Sequence, residues 1–487
     1  MTELPDLNQL SDAQKDELIG QLFDLVQRLT VQLAAVQKQL DQQQNQPRLN
    51  SKNSSKPPSS DGLAKPVCKP APQSLRPTGQ HPNGGQSGHS GHTLRQSAQP
   101  DVVIQHIGAA HCSVCQSQLH QHQVIDKRQV FELPVLRAHV TEHRLMRSVC
   151  TCGAEHQGAF PEGINAPTQY GPQVKALATH LNQQHFVPLA RTCEIMDDVF
   201  GLPLSEASVL AFTEQAAQTL KPTVAAIGQA VQAAPIVHAD ESGIRLKGKL
   251  AWLHCAVTPS LTHLAHHARR GGVAFEELGI LAGVRGTLVH DGLRAYKHLQ
   301  CQHSLCNAHH LRELLYVHES LNEKAFDNWA GEMMDLLLLA KREVDETAGP
   351  LTLLRQAWFE GQWSALLARG QANHPEVKRD DEVYSKKRGQ VAQSKPHNLL
   401  KRLKECRQEV WRFMTDMGVP FTNNLAEQAL RMSKVRQKIS GCFRTDEGAS
   451  TFFTIRSYLQ TMRKQRVNLL DCLVSVFKDQ PIQPCLV

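Results

Sequence analysis

Three acidic residues have the types and spacing that could do chemistry in this 487-residue chain. Asp240 closes the apolar run Ile236-Val237-His238-Ala239-Asp240, and Asp291 closes a second, Leu288-Val289-His290-Asp291. A carboxylate at the end of a buried strand is rigidly held and poorly solvated. Two placed together repel, so that one tends to keep its proton. A divalent cation removes that repulsion. A third carboxylate would complete an oxygen-rich site for two Mg²⁺ (or Mn²⁺) ions about 4 Å apart, able to activate a water or a 3′-hydroxyl and to stabilise the leaving oxygen of a phosphodiester. Two strand-end aspartates alone read equally well as caps of the following turns, so the third acid decides. In Asn423-Asn424-Leu425-Ala426-Glu427, Glu427 lies on the first turns of a helix that Asn423 or Asn424 can cap, and it shares a face with Leu430 and Arg431. Nine Lys/Arg stand against three acids from Glu427 to Arg466, a balance that suits a polyanion. Arg431, Lys434, Arg436 and Lys438 are the candidate phosphate contacts, with Arg444 a weaker one. Glu241 is expected on the opposite strand face and is not counted as a ligand.

Cysteines suggest a second kind of site. Cys112-x2-Cys115 and Cys150-x-Cys152 are two close pairs separated by 34 residues. Zinc takes four soft ligands in a tetrahedron, and two pairs on turns supply them, with His111 or His156 able to replace one. Such a site has no open position and reads as structural. Cys306-x2-His309 lies fifteen residues past Asp291. Cys301, His303 and His310 bring further donors near, but two ligands do not make a zinc site. A packed Cys and a hydrogen-bonded His, structural in role, is the better reading.

Other segments must position these residues. Leu18, Leu22, Leu25, Leu29, Leu33, Val36 and Leu40 form an imperfect heptad seam, which predicts a self-associating helix over 1–47. Residues 48–100 hold eight prolines and seven Lys/Arg against one acid, the composition of a basic disordered linker. Short strands are expected at Val130–Leu133 and Arg137–Arg144 within a small metal module over 101–165. Helices separated by Gly201-Leu202-Pro203 fill 166–234 and resemble a helix-turn-helix. Strand and helix patterns alternate over 235–310, and a charge-rich helical stretch follows to about 416. Further helices are read at 421–436 and 449–477. No run approaches the roughly 18 apolar residues of a membrane helix, and the acidic N-terminus lacks a signal-peptide core, so a cytoplasmic protein is expected. Thirteen cysteines in a long intracellular chain favour metal ligation or buried thiols over a disulfide framework. The net charge of +7 permits nucleic acid as a partner without demanding it.

These pieces together resemble the IS66-family transposases, large DDE subunits of bacterial insertion sequences. The resemblance rests on Ser-Ser-Lys-Pro-Pro-Ser-Ser-Asp at 54–61, Gly-Gly-Gln-x-Gly-His at 84–89, the four cysteines and His-Ala-Asp-Glu-Ser at 238–242. Asn-Asn-Leu-Ala-Glu-Gln-Ala-Leu-Arg at 423–431 and Lys-Val-Arg-Gln-Lys-Ile-Ser-Gly at 434–441 are its longest and most specific parts. Ser87 stands where the family often has proline, a departure confined to the linker. The resemblance implies an RNase H-like catalytic core over 235–310 and 418–466, with Asp240, Asp291 and Glu427 as its DDE triad and 311–417 as a helical insertion. The expected whole is a multidomain α+β protein. It has a coiled coil, a zinc-binding β module, a helical DNA-binding region, this α/β core and a C-terminal helix and tail over 467–487. Its expected partners are the terminal inverted repeats, target DNA, a second copy through the zipper, and small accessory proteins of the same element. No membrane partner is expected. The expected activity is metal-dependent 3′-end cleavage and strand transfer in the nucleoid. The rival readings are a zinc-containing sequence-specific DNA-binding protein without catalysis and an RNase H-like Mg²⁺ nuclease that hydrolyses without joining.

Overall fold

A computed structural model describes residues 11, 26–30, 94–106, 110–118, 123–320, 328–347, 349–377 and 391–486. Of the expected zipper, residue 11 and residues 26–30 fall within these, and 26–30 are helical. The remainder of 1–47, and the linker up to residue 93, lie outside the described residues. The chain divides into two compact units. The larger includes Ala166–Cys193 and Ser205–Val487, and the smaller comprises Leu63–Asn165 and Glu194–Leu204.

In the smaller unit, a short antiparallel ladder joins β1 (Arg147–Val149) to β2 (Glu155–Gln157). The strands expected at 130–133 and 137–144 do not form. Those residues run without a ladder partner, and Val130, Leu133 and Val140 remain exposed. Apolar alternation alone does not make a strand when its backbone groups find no neighbour to bond.

The larger unit is built on a five-stranded mixed sheet in the order β5-β4-β3-β6-β7. Its strands are β3 (Ile236–Leu246), β4 (Lys249–Val257), β5 (Thr262–His267), β6 (Thr287–His290) and β7 (Gln302–Leu305). The first three form an antiparallel meander, while β6 and β7 run parallel to β3. Lys247 and Gly248 turn the β3–β4 hairpin, both at positive φ, as a two-residue turn matched to strand twist requires. Gly286 precedes β6 where a Cβ would meet the Pro235 carbonyl oxygen at 2.3 Å, so only glycine lets the two backbones approach.

Three helices open this part of the chain: α1 (Pro172–Thr179), continued by a π-turn over His180–Gln184, then α2 (Leu189–Phe200) and α3 (Glu206–Ala233). Ser205 caps α3, and the helix runs on through Pro222 to Ala233. Its Ile227 and Val231 share a buried cluster with Val237, Ala256 and Leu288 of the sheet. At least this helix of the expected DNA-binding region therefore packs as part of the sheet's own core.

Both sheet edges are covered. On one side, α11 (Asp446–Lys464) lies against β5. Its Ser457 and Thr461 hydroxyls accept from the Leu264 and Thr262 amides at 2.9 and 3.0 Å. Those amides would otherwise point outward from an edge strand, and the helix hydroxyls at i and i+4 satisfy them. On the other side lie the helices that follow β7, namely α5 (Asn307–Ser320), α6 (Trp329–Thr347), α7 (Leu353–Asn373), α8 (Lys395–Glu405) and α9 (Arg407–Thr415). They enclose an apolar core around Trp329, Trp363 and Trp411. Helix α9 returns along β7, where Arg412 donates to the His303 carbonyl at 2.7 Å. The chain then re-enters the sheet layer through α10 (Asn424–Ser440) and ends, after α11, with α12 (Leu469–Val476). Among the described residues, no helix is long and apolar enough to cross a membrane.

Candidate active site

A notch opens where two neighbouring strands part. The parallel ladder between β3 and β6 pairs Ile236 with Thr287, Val237 with Leu288 and His238 with Val289, and then stops. Asp240 and Asp291 each stand two residues beyond the last pair. Asp240 is not at the end of its strand, as the sequence suggests. Strand β3 continues to Leu246 on the β4 side, where Asp240 faces Cys255 in register. What ends at this point is the β6 partner, and that frees one flank of β3 for a site.

Backbone donors fix both aspartates. Asp240 Oδ1 accepts from the Glu241 amide at 2.8 Å, and Asp291 Oδ1 accepts from the Leu293 amide at 3.0 Å. Asp240 has its carboxyl pKa pushed up to about 8, first by burial and then by the negative charges of Asp291, Glu241 and Glu427. These acids thus lie closely enough to oppose the ionisation of Asp240. Glu427 arrives from the first turn of α10. Its Oε1 is buried and has no hydrogen-bond partner within the described residues.

The residue that seats α10 is Asn423. Its side chain makes no capping bond to the helix. Instead, its Nδ2 donates to the Ala239 carbonyl at 2.8 Å and its Oδ1 lies 2.9 Å from His238 Nδ1. Because the amide nitrogen is committed to Ala239, Oδ1 is the acceptor and His238 carries its proton on Nδ1. Burial pulls the His238 pKa down, in keeping with a neutral ring. Cys255 Sγ lies 3.8 Å from the Ala426 carbonyl, adding a second link from sheet to helix. Asn423 therefore ties the residue next to Asp240 to the helix that bears Glu427.

Glu241 has partners of its own. Arg270 donates to its Oε1 through Nε at 2.8 Å and Nη2 at 2.5 Å, and the Tyr296 hydroxyl donates to Oε2 at 2.5 Å. The Arg270 guanidinium also stacks 4.7 Å from the Trp252 ring. These partners occupy both carboxylate oxygens, while the charge of nearby Asp291 adds to burial in raising the Glu241 pKa. Sequence reasoning missed Arg270 and Tyr296, and nothing in their spacing marks them.

The basic residues of α10 divide in two. Arg431 and Lys438 are exposed. Lys434 donates to the Gly243 carbonyl at 2.6 Å. Arg436 is folded onto aromatic rings, 3.9 Å from Phe443 and 4.8 Å from Phe452, and burial lowers its pKa to about 10. Its guanidinium serves packing more than phosphate contact. Arg444 is exposed.

Cys306 and His309 sit beside Glu427. The Cys306 amide donates to the His290 carbonyl at 2.9 Å, and Cys306 Sγ accepts from the Asn423 amide at 3.2 Å. His309 Nδ1 lies 3.9 Å from Glu427 Oε1 and, though buried, has no hydrogen bond there. Cys306, His309 and Glu427 each offer one donor atom, and the three lie within 4.8 Å of one another. Among the described residues, this is the one group of three or more potential metal donors so close together.

The four cysteines of the smaller unit are brought together pairwise. Gln116 donates to the Cys112 carbonyl, and the Val114 amide lies 3.4 Å from Cys112 Sγ. The Cys115 thiol is lowered to about 7, chiefly by hydrogen bonding to Ser117. In the second pair, the Gly153 amide closes a turn onto the Cys150 carbonyl at 2.8 Å, and hydrogen bonds from Cys152 lower the Cys150 thiol. Turns whose amides face sulfur stabilise the thiolates that a metal takes.

Where its strands part, the sheet carries two aspartates near a glutamate on a docked helix, a candidate acidic centre. Comparison with known proteins makes this specific. The family model described as Transposase IS66 family matches residues 167–451, more than half of the chain, and the protein belongs to that family. A second model, a family of unknown function (DUF6444), matches residues 2–95. No curated protein matches the chain.

Proposed function

We propose that Asp240, Asp291 and Glu427 are the DDE triad of an RNase H-like core, and that the protein cuts the 3′ ends of its element and joins them to target DNA. The observation that carries this reading is that the charges of Asp291 and Glu427 both bear on buried Asp240, whose carboxyl is pushed up to about 8 by burial first and by neighbouring acids second. The strand order, with three antiparallel strands followed by two parallel ones, supports the core assignment.

The donor set fits a hard cation: it is all oxygen, its members repel one another, and Glu427 Oε1 is buried without a partner. Two Mg²⁺ or Mn²⁺ ions held by these three residues would supply Lewis-acid stabilisation at both the entering and the leaving oxygen. The protein's own share is placement. The Glu241 and Leu293 amides orient the two aspartates, Asn423 sets the distance from strand to helix, and the Arg270–Tyr296 pair keeps Glu241 out of the site. Both chemical steps are displacements at phosphorus. Water oxygen forms the new P–O bond in the first, and the bond to the 3′-oxygen breaks to leave a 3′-hydroxyl. That hydroxyl attacks a target phosphodiester in the second, forming a new P–O bond and giving up its proton, while the target's own bond to its 3′-oxygen breaks and that oxygen leaves as a 3′-hydroxyl. Exposed Arg431 and Lys438 would hold phosphates beside the cut, with Lys434 joining them if it releases Gly243.

The four cysteines would bind one structural Zn²⁺, since each pair already turns its amides toward sulfur. Cys115→Ser is expected to lower the zinc content of the full-length protein by one equivalent. A metal content unchanged by that substitution would refute the four-cysteine site. Dimerisation through the N-terminal helix would place two subunits on paired element ends. Incubating the full-length protein with Mg²⁺, labelled duplexes bearing element ends and an unlabelled plasmid tests the activity. Label appearing in the plasmid is the expected result. Cutting without joining would identify a nuclease instead.

A further inference from the structure

We propose that Cys306, His309 and Glu427 form a second cation site, selective for a thiophilic divalent ion such as Zn²⁺, and that its occupation withdraws Glu427 from the acidic triad. The regulatory half of this proposal rests on the reading of Glu427 as a triad member; the binding half does not.

The donors come from two anchored elements. Cys306 and His309 flank the first turn of α5, where the His309 amide donates to the Cys306 carbonyl at 3.1 Å. Three-residue spacing on a helical turn puts both side chains on one face. Glu427 comes from the first turn of α10. The two turns are bound to each other, because the Asn307 amide donates to the Phe421 carbonyl at 3.0 Å and the Asn423 amide donates to Cys306 Sγ at 3.2 Å. An amide aimed at sulfur favours the thiolate.

Two of the three donors lack any other occupation. His309 Nδ1 and Glu427 Oε1 are both buried, both without a hydrogen bond within the described residues, and 3.9 Å apart. That separation is too long for a hydrogen bond and suits two ligands that share an ion. Zinc binds sulfur at about 2.3 Å and nitrogen or oxygen at about 2.0–2.2 Å, so donors around one tetrahedral ion lie roughly 3.3–3.6 Å apart. The three atoms lie within 4.8 Å of one another, so an ion would draw any two of them together by roughly 1.5 Å at most. Glu427 can supply that movement, since its side chain is 32% exposed, and the open flank also gives an ion its way in.

Selectivity follows from the donor types. A thiol and an imidazole suit Zn²⁺, whereas Mg²⁺ prefers oxygen and keeps its waters. Burial pushes the Cys306 thiol up to about 11, so at neutral pH an entering ion must displace its proton to solvent. Ligation through Oε1 turns the Glu427 carboxylate toward Cys306 and His309 and leaves at most Oε2 for the acidic centre.

Cd²⁺ is a spectroscopic probe of the site, because its bond to a thiolate gives a charge-transfer band in the ultraviolet. Titration of the full-length protein should give a band exceeding that of Cys306→Ser by one thiolate's absorbance. His309→Ala, which keeps the sulfur, should weaken binding of that last equivalent by on the order of 100-fold, and it serves as the independent variant if Cys306→Ser does not fold. Identical bands in all three proteins would overturn the proposal. Adding Zn²⁺ at micromolar concentration to the Mg²⁺-driven reaction should slow wild type but not His309→Ala, and equal inhibition of both would overturn the regulatory half. A protein that shows the Cd²⁺ difference yet never cuts DNA in Mg²⁺ would refute the triad reading while leaving the cation site standing.

Discussion

Asp240→Asn is expected to abolish cleavage and, in the absence of divalent cation, to make the protein more stable. Losing one ligand of a Lewis-acid centre removes several kcal/mol of transition-state stabilisation. At about 1.4 kcal/mol per factor of ten, the rate should fall by on the order of a thousandfold or more. Stability moves the other way because of the proton. In the folded chain, burial and three neighbouring acids hold the Asp240 pKa near 8, whereas an unfolded aspartate ionises near 3.9. The folded state therefore binds more proton between these values, and its stability falls as pH rises from about 4 to about 8. At neutral pH this penalty is ~4 kcal/mol, and asparagine removes it without changing the shape of the side chain. Thermal unfolding in EDTA should show wild type and variant equal at pH 4, and the variant several degrees more stable at pH 8. Saturating Mg²⁺ should reverse the order at pH 8, since binding to the native state stabilises wild type in proportion to ln(1 + [Mg²⁺]/Kd). A variant no more stable than wild type at pH 8 in EDTA would contradict the crowded-carboxylate description.

Asn423→Ala should do damage of a different kind. The side chain is 1% exposed and satisfies two buried groups at once, His238 Nδ1–H and the Ala239 carbonyl. Each group left without a partner costs about 1–3 kcal/mol, so the variant should lose ~2–4 kcal/mol in urea unfolding. The same bonds set the position of α10, and a displacement of Glu427 by about an ångström is enough to cost roughly a hundredfold in rate. Activity should therefore fall even at temperatures where the variant is fully folded. The neighbouring Asn424→Ala provides the contrast. Asn424 is exposed, and its replacement should change stability by no more than ~0.5 kcal/mol. If both variants behaved alike, Asn423 would be an ordinary helix cap and its bridge to β3 would have no energetic consequence.

The strands that carry Asp240 and Asp291 were legible because their apolar runs are short and bounded. The runs ending at Asp240 and Asp291 fall on β3 and β6, and β4, β5 and β7 lie within the 235–310 stretch of alternating strand and helix patterns. The continuation of β3 to Leu246 was hidden, since Gly243 and Arg245 interrupt the apolar pattern while the ladder to β4 persists. The role of Asn423 was hidden for a related reason. An asparagine before a helix usually caps it, and only the approach of β3, 184 residues earlier in the chain, offers its amide a better partner. Arg436 read as a phosphate contact because charge shows in a sequence and the packing of Phe443 and Phe452 around it does not. The extended stretch 123–146 shows the converse, a pattern of apolar residues with no partner strand to use it. His309 was read as hydrogen-bonded from its type, whereas its neighbour is the unpartnered oxygen of Glu427. That adjacency depends on two helix starts being fastened together.

The most direct test compares wild type with Asp240→Asn, Asp291→Asn and Glu427→Gln in Mg²⁺-dependent cleavage and joining of DNA carrying the element ends, with binding to the same DNA measured alongside. The account predicts that all three variants still bind and that none cuts or joins at a measurable rate. Products from any of the three at the wild-type rate would show that the notch between β3, β6 and α10 is not the catalytic centre.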